Sequence, residues 1–143
     1  MVGGIQYERI AGQSYEMMLF ENGEIEGYLS RMVKVTRSIY DVVEYESEVE
    51  RKFAEDLDAR TDIRLFVKLP GWFRVKTPLG DYNPDWAIVK EGDGKVYLVR
   101  ETKHTRDLDE LRRDEKLKIL CGKAHFTGCL GQDFDVVTKA GEI

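Results

Sequence analysis

The chain has 143 residues, which is the size of one domain, because single hydrophobic cores typically serve roughly 100 to 200 residues. Its 22 basic and 27 acidic residues give a net charge of −5, so no overall positive field gathers nucleic acid from a distance. A hydrophobic fraction of 42% supplies a core and excludes a disordered chain. Two cysteines make no secreted disulfide framework, and no apolar stretch approaches the roughly 20 residues of a membrane span. We therefore expect a soluble, cytoplasmic domain without membrane contact.

The first forty residues predict short extended segments separated by turns. These segments are 5–10, 14–20 and 31–37, where apolar and polar residues alternate with the period of a half-buried strand. Asn22-Gly23 is a turn signal, and residues 24–30 have room for one helical turn.

A helix is predicted over residues 46–60. At about 100° per residue from Val49, Phe53 and Leu57 share one apolar arc, and Glu50 falls inside it. An acidic side chain that points inward needs a reason. It is either part of a functional site or the second half of a capping box that begins at Ser47.

The rest of the chain predicts a sheet, a second helix and a late strand. Segments 64–69 and 72–76 precede a turn at 78–81. Segments 86–90 and 96–103 flank a Glu-Gly-Asp-Gly run, which predicts an antiparallel β-hairpin. A helix over 107–123 and a strand over 133–137 follow, and no repeat or linker interrupts them.

Two carboxylates and a lysine are expected to meet where this hairpin ends. Asp85 opens its first strand, while Glu101 and Lys103 lie two residues apart at the end of the second and share a face. Carboxylate oxygens suit a hard divalent ion, and a lysine beside it can orient a water molecule or stabilise developing charge. This is the equipment for metal-assisted hydrolysis of phosphodiesters. The alternatives are a turn aspartate at Asp85 and a silent surface pair at Glu101 and Lys103.

The string Pro84-Asp85, fifteen residues and then Glu101-Thr102-Lys103 resembles the PD-(D/E)XK nuclease pattern. Longer runs resemble the carboxy-terminal endonuclease domain of type III restriction enzyme Res subunits. They are IAGQSYEMMLFEN from residue 10, SIYDVVEYESEVERKFAEDL from 38, FVKLPGWFRVKTPLGDYNPDWAIV from 66, YLVRETK from 97 and EKLKILCGKAHF from 115. Unlike that family's full subunits, the chain carries no Walker-type loop or helicase motor, so it looks like an excised nuclease domain.

The resemblance implies an α/β (α+β) fold of restriction-endonuclease type. Its mixed sheet has an αβββαβ core over residues 45–143, preceded by a strand-rich extension over 1–44. The resemblance implies hydrolysis of double-stranded DNA, with Asp85 and Glu101 as Mg²⁺ ligands, Lys103 as the catalytic lysine and Glu50 as a third acidic group. Mn²⁺ is expected to substitute for Mg²⁺. The implied partners are the methyltransferase (Mod) subunit and a helicase motor. ATP is implied only as a cofactor of that motor.

Several basic residues are candidate DNA contacts. On a wheel counted from Leu108, three of them form one stripe suited to phosphates: Arg112, Lys116 and Lys123. Lys118 falls nearer Glu115 and could approach the catalytic centre, and His104 is a candidate phosphate neighbour beside Lys103. A solvated charged face is the alternative for the stripe.

Two other functions remain open at this stage. One is a non-catalytic DNA-binding or subunit-docking module of the same fold. The presence of all three residues Asp85, Glu101 and Lys103 argues against it. The other is a junction-resolving or repair nuclease of the same superfamily.

Overall fold

The computed structural model describes residues 31–92 and 95–143. Its elements, in chain order, are β1 (Met32–Lys34), β2 (Val42–Glu44), α1 (Glu48–Ala59), β3 (Ile63–Lys68), β4 (Val75–Thr77), β5 (Gly80–Tyr82), β6 (Trp86–Glu91), β7 (Lys95–Thr102), α2 (Arg113–Lys123) and β8 (Asp133–Val137). Neither helix in this described part is long and apolar enough to cross a bilayer.

A four-stranded mixed sheet organises the domain, with strand order β3-β6-β7-β8. Strands β3, β6 and β7 run antiparallel, and β8 joins β7 in parallel. A parallel neighbour requires a crossover connection, which α2 supplies between β7 and β8. The order α1, β3, β6, β7, α2, β8 confirms the predicted αβββαβ core and its α+β class.

Two hydrophobic clusters cover the two faces of this sheet. Because successive strand residues point to opposite faces, Val136 joins one cluster and Val137 the other. The first cluster contains the buried face of α1 packed on Trp86, whose ring lies 5.3 Å from the ring of Phe53. The second contains Ile119 of α2.

Helix α1 confirms the predicted helix over 46–60, with slightly shorter bounds. Ser47 caps its first turn by accepting a hydrogen bond from the backbone N–H of Glu50 at 3.3 Å. Glu50, Phe53 and Leu57 are buried, as the helical wheel predicted.

The predicted helix over 107–123 is wrong in its first turn. Residues Leu108–Glu110 form a short 3-10 helix, and α2 begins only at Arg113. The side chain of Asp107 accepts from the N–H of Asp109 at 2.9 Å, a local bond that competes with a continuous helix. Leu111 is buried in the second cluster, and the backbone at Leu111 and Arg112 is extended. Arg112 therefore precedes the helix and does not share its wheel.

Short strands outside the main sheet add detail that the sequence pattern missed. β1 lies within the predicted segment 31–37, but its antiparallel partner β2 was not predicted. Segment 72–76 corresponds to β4, which pairs with β5 in a small hairpin where Gly80 has φ of 104°. The predictions for residues 5–10, 14–20 and 24–30 lie outside the described residues, as does part of the turn between β6 and β7. The division at residue 45 stays a prediction.

Gly122 of α2 packs closely against the ring of Tyr82. A Cβ atom there would lie 2.5 Å from Cε1 of the buried Tyr82 ring. We expect Gly122→Ala to lower the free energy of unfolding by about 1 to 3 kcal/mol, because overpacking forces buried groups to shift. Urea denaturation measures the change.

Gly128→Ala is the matched control, since a Cβ at Gly128 would meet no atom within 4 Å. Its stability should change by less than about 1 kcal/mol. Equal losses in the two variants would contradict the assigned contact between Gly122 and Tyr82.

Candidate active site

Asp85 lies immediately before β6, where its backbone and side chain are both fixed. Its carbonyl oxygen accepts from the N–H of Leu69 at 2.8 Å. Its Oδ2 accepts from the backbone N–H and from the Oγ1 hydroxyl of Thr102, each at 2.7 Å. Since β6 pairs with β7 in the register Trp86 to Arg100, Asp85 meets the end of β7. The predicted approach of Asp85 to the end of the hairpin is therefore present.

Thr102 links Asp85 to the core beneath it. Its hydroxyl donates to Asp85 and accepts from Nε1 of Trp86 at 3.2 Å. A hydroxyl has one proton, so this arrangement uses its donor on the carboxylate and its acceptor on the indole. The buried Trp86 ring thereby holds the hydroxyl that holds Asp85.

Glu101 is the most enclosed acidic group of the site, with 5% of its surface exposed. Its Oε2 accepts from the Tyr82 hydroxyl at 2.7 Å, and its Oε1 lies 3.0 Å from Nζ of Lys103. Lys103 also lies 3.8 Å from Oε1 of Glu115 on α2. Both oxygens of Glu101 thus have a partner, which a buried carboxylate requires.

Burial and mutual repulsion perturb the protonation of both carboxyl groups. Burial, reinforced by the charge of Asp85, raises the pKa of Glu101 from 4.5 to about 7. Burial also raises the pKa of Asp85, and the charge of Glu50 adds to this. Burial alone would lower the pKa of Lys103, but the carboxylates of Glu101, Asp85 and Glu115 together raise it. Lys103 is therefore a stable cation beside two carboxylates that repel each other.

Glu50 performs part of the predicted capping role and also approaches the site. Its carboxylate accepts from the backbone N–H of Glu46 at 2.8 Å rather than from that of Ser47. The same Oε2 pairs with Nζ of Lys68 on β3. Its effect on the pKa of Asp85 places its charge near that carboxyl group. Its role as a third acidic group stays a prediction.

The predicted DNA contacts occupy different environments. Arg112 pairs with Glu115 at 3.1 Å, and Lys116 pairs with Asp109. Lys118 lines a cavity together with Glu101 and Lys103. His104 and Lys123 are exposed, His104 two residues after the end of β7 and Lys123 at the end of α2.

Four residues with direct contacts in the site were not predicted from the sequence. Tyr82 and Thr102 hold the carboxylates, Glu115 neighbours Lys103, and Lys68 pairs with Glu50. Strand alternation placed Thr102 on the face opposite Glu101, which hid its contact with Asp85. Tyr82 lies three residues before Asp85, so proximity in the chain was the available signal.

The endonuclease domain family model matches residues 36–140, which is most of the chain. The chain belongs to the endonuclease domain family. No curated protein and no solved structure matches it. The family match covers every candidate residue described above, including Glu50 and the α2 segment, and it indicates a nuclease.

The chemistry of the pair fits a hard divalent ion in this endonuclease domain. Asp85 and Glu101 supply carboxylate oxygens, the donors Mg²⁺ prefers, and Mg²⁺ commonly binds through one or two carboxylates plus waters and phosphate oxygens. Among residues 31–92 and 95–143, no three His, Cys, Asp or Glu side chains form a group that could hold a metal. Asp85 and Glu101 are the two carboxylates that we expect as ligands, and Glu50 stays the predicted third acidic group.

The raised pKa of Glu101 predicts a pH-dependent stability for the metal-free endonuclease domain. Between its ordinary pKa of 4.5 and its folded pKa of about 7, Glu101 is protonated when folded and ionised when unfolded. The favourable contribution of Glu101 to the free energy of unfolding is full below its ordinary pKa of 4.5 and is lost as the pH rises through its folded pKa of about 7. The loss amounts to about 3 kcal/mol.

We expect this loss to disappear in Glu101→Gln. Urea denaturation at about pH 5 and about pH 8, with a chelator present, gives the free energy of unfolding of both proteins. The decrease from the lower to the higher pH should be larger in the wild type by about 2.5 kcal/mol, because part of the full loss is already present at about pH 5. An identical decrease in both would contradict the raised pKa.

Proposed function

We propose that this chain is a Mg²⁺-dependent endonuclease domain of the type III restriction enzyme Res kind, which hydrolyses phosphodiester bonds in double-stranded DNA. The observation that carries this proposal is the convergence of Asp85, Glu101 and Lys103 at the end of one hairpin. A module that only docks has no use for two carboxylates buried beside a single lysine, because one ammonium does not balance two buried negative charges.

Asp85 and Glu101 would hold the metal, and Mn²⁺ should replace Mg²⁺. When bound, the ion would neutralise charge on the scissile phosphate and lower the pKa of an attacking water molecule. The bonds from Thr102 and Tyr82 hold the two carboxylates in place, so little reorganisation is needed at the moment of reaction.

Lys103 has the position and the charge of a catalytic lysine. Its ammonium lies 3.0 Å from Glu101, and its raised pKa keeps it protonated at neutral pH. It can donate hydrogen bonds to the attacking water or to a phosphate oxygen as negative charge develops there. Oε1 of Glu115 is a second carboxylate oxygen near Nζ, at 3.8 Å.

The type III assignment rests on the sequence runs from residues 10, 38, 66, 97 and 115. In this proposal a helicase motor, using ATP, and the methyltransferase (Mod) subunit bring DNA to the domain. The recognition of a DNA sequence then belongs to those partners and not to the residues described above.

We expect loss of cleavage on removal of any of the three groups. Asp85→Asn, Glu101→Gln and Lys103→Ala should each reduce Mg²⁺-dependent cleavage of plasmid DNA by on the order of 100-fold or more. Glu91→Gln is the control, since Glu91 is an exposed carboxylate at the far end of β6. Wild-type rates in Glu101→Gln would refute the proposed site.

Measurements of metal binding distinguish the proposed ligands, Asp85 and Glu101, from the proposed catalytic residue Lys103. Isothermal titration with Mn²⁺ should show affinity reduced at least tenfold in Asp85→Asn and Glu101→Gln. Lys103→Ala should still bind Mn²⁺, because an ammonium is not a ligand. Equal affinity in the wild type and both carboxylate variants would place the metal elsewhere.

A further inference from the structure

A cavity of about 340 Å³ opens beside Glu101 and Lys103. Tyr82 and Glu115 belong to its lining, as the site geometry requires. Beyond these residues, its walls include Gly71 and Arg74, which lie between β3 and β4, and Lys118 on α2. Two cations from distant parts of the chain thus border the space next to the candidate catalytic lysine.

Arg74 and Lys118 differ from Arg112 and Lys116, because no carboxylate forms an ion pair with them in the described part of the chain. Arg74 and Lys118 are both exposed. By contrast, Arg112 and Lys116 are paired with carboxylates of their own segment. The Nε of Arg74 donates to the carbonyl oxygen of Gly71 at 2.7 Å, which fixes the base of the guanidinium.

Of the three carboxylates in the cavity lining, Glu101 and Glu115 lie beside Lys103, and Asp81 does not neutralise Arg74. Asp81 already pairs with Lys76 at 2.6 Å across the β4–β5 hairpin. The guanidinium of Arg74 adds a smaller contribution that lowers the pKa of Asp81, after the hydrogen bond and charge of Lys76. The charge of Arg74 therefore remains available to an anion in the cavity.

A DNA strand approaching Asp85 and Glu101 meets two like charges, so neighbouring cations are needed to hold its phosphates. We propose that Arg74 and Lys118 bind backbone phosphates adjacent to the scissile phosphate, on the two sides of the cavity. This inference rests on the proposed function. It adds Arg74, which sequence patterns did not single out, and it assigns Lys118, predicted as a contact to DNA or to the catalytic centre, to the cut strand.

The test is the salt dependence of DNA binding by the full chain. A short double-stranded DNA with a fluorescent label is titrated in Ca²⁺, which replaces Mg²⁺ and stops cleavage, from about 50 to about 200 mM salt. Arg74→Ala and Lys118→Ala should each weaken binding about tenfold at the lowest salt. Each should reduce the slope of log affinity against log salt by about 1.

Two further variants make the test specific. Lys52→Ala removes an exposed charge from the outer face of α1 and should leave the slope unchanged. Arg74→Lys should keep the wild-type slope, because it keeps the charge. Wild-type slopes in Arg74→Ala and Lys118→Ala, or an equal fall in Lys52→Ala, would overturn the inference.

The result of this DNA-binding test is distinguishable from the result of the tests of nuclease activity. Neither Arg74 nor Lys118 is a metal ligand, so both alanine variants should titrate Mn²⁺ as the wild type does. Cleavage by the wild type with unchanged slopes in both variants overturns the phosphate sites alone. Reduced slopes in both variants with no cleavage by the wild type support the phosphate sites and refute the nuclease.

Discussion

The antiparallel register of β6 and β7 is the constraint on which the site depends. Trp86 lies opposite Arg100, so the residue before β6 meets the residues that follow Arg100. A slip of β7 by one residue would move Glu101 and Lys103 together to the other face of the sheet and separate both from Asp85. The buried Leu98 of β7 opposes such a slip, because the slip would turn its side chain out of the first hydrophobic cluster. Packing in the hydrophobic core therefore determines where the candidate catalytic residues lie.

Burial then determines the character of the two carboxylates. Each has hydrogen-bond partners that fix its orientation, Thr102 for Asp85 and Tyr82 for Glu101, yet their pKa values are raised. A protein that buries two adjacent acids beside a single lysine sacrifices stability, and such sacrifices are typical of functional sites. Tyr82 also packs against Gly122, so the orientation of Glu101 is coupled to the position of α2.

The sequence predicted helices and strands correctly where one strong local pattern determined them. Amphipathic spacing located α1 and its inward Glu50, and a turn-rich run between two apolar segments located β6 and β7. The strand over 133–137 was predicted with its observed bounds. Family resemblance supplied the order of elements around them, which no local pattern contains.

Most of the failures have a common physical origin in contacts between distant residues. The segment 107–112 has helical composition, but the burial of Leu111 and a local bond, which Asp107 accepts from the N–H of Asp109, prevent a continuous helix. The bonds from Thr102 to Asp85, from Tyr82 to Glu101 and from Lys68 to Glu50 depend on tertiary placement. The same applies to Arg74 and Lys118, which come from different segments and border one cavity. Local charge spacing could not reveal which cations lack a carboxylate partner.

In the proposed nuclease, Asp85 and Glu101 bind one metal ion together. The most direct test is a crystal of the chain soaked in Mn²⁺ and measured for anomalous scattering. The account predicts an anomalous peak bonded to carboxylate oxygens of both residues. The absence of a peak between them, or peaks only at other positions, would contradict it.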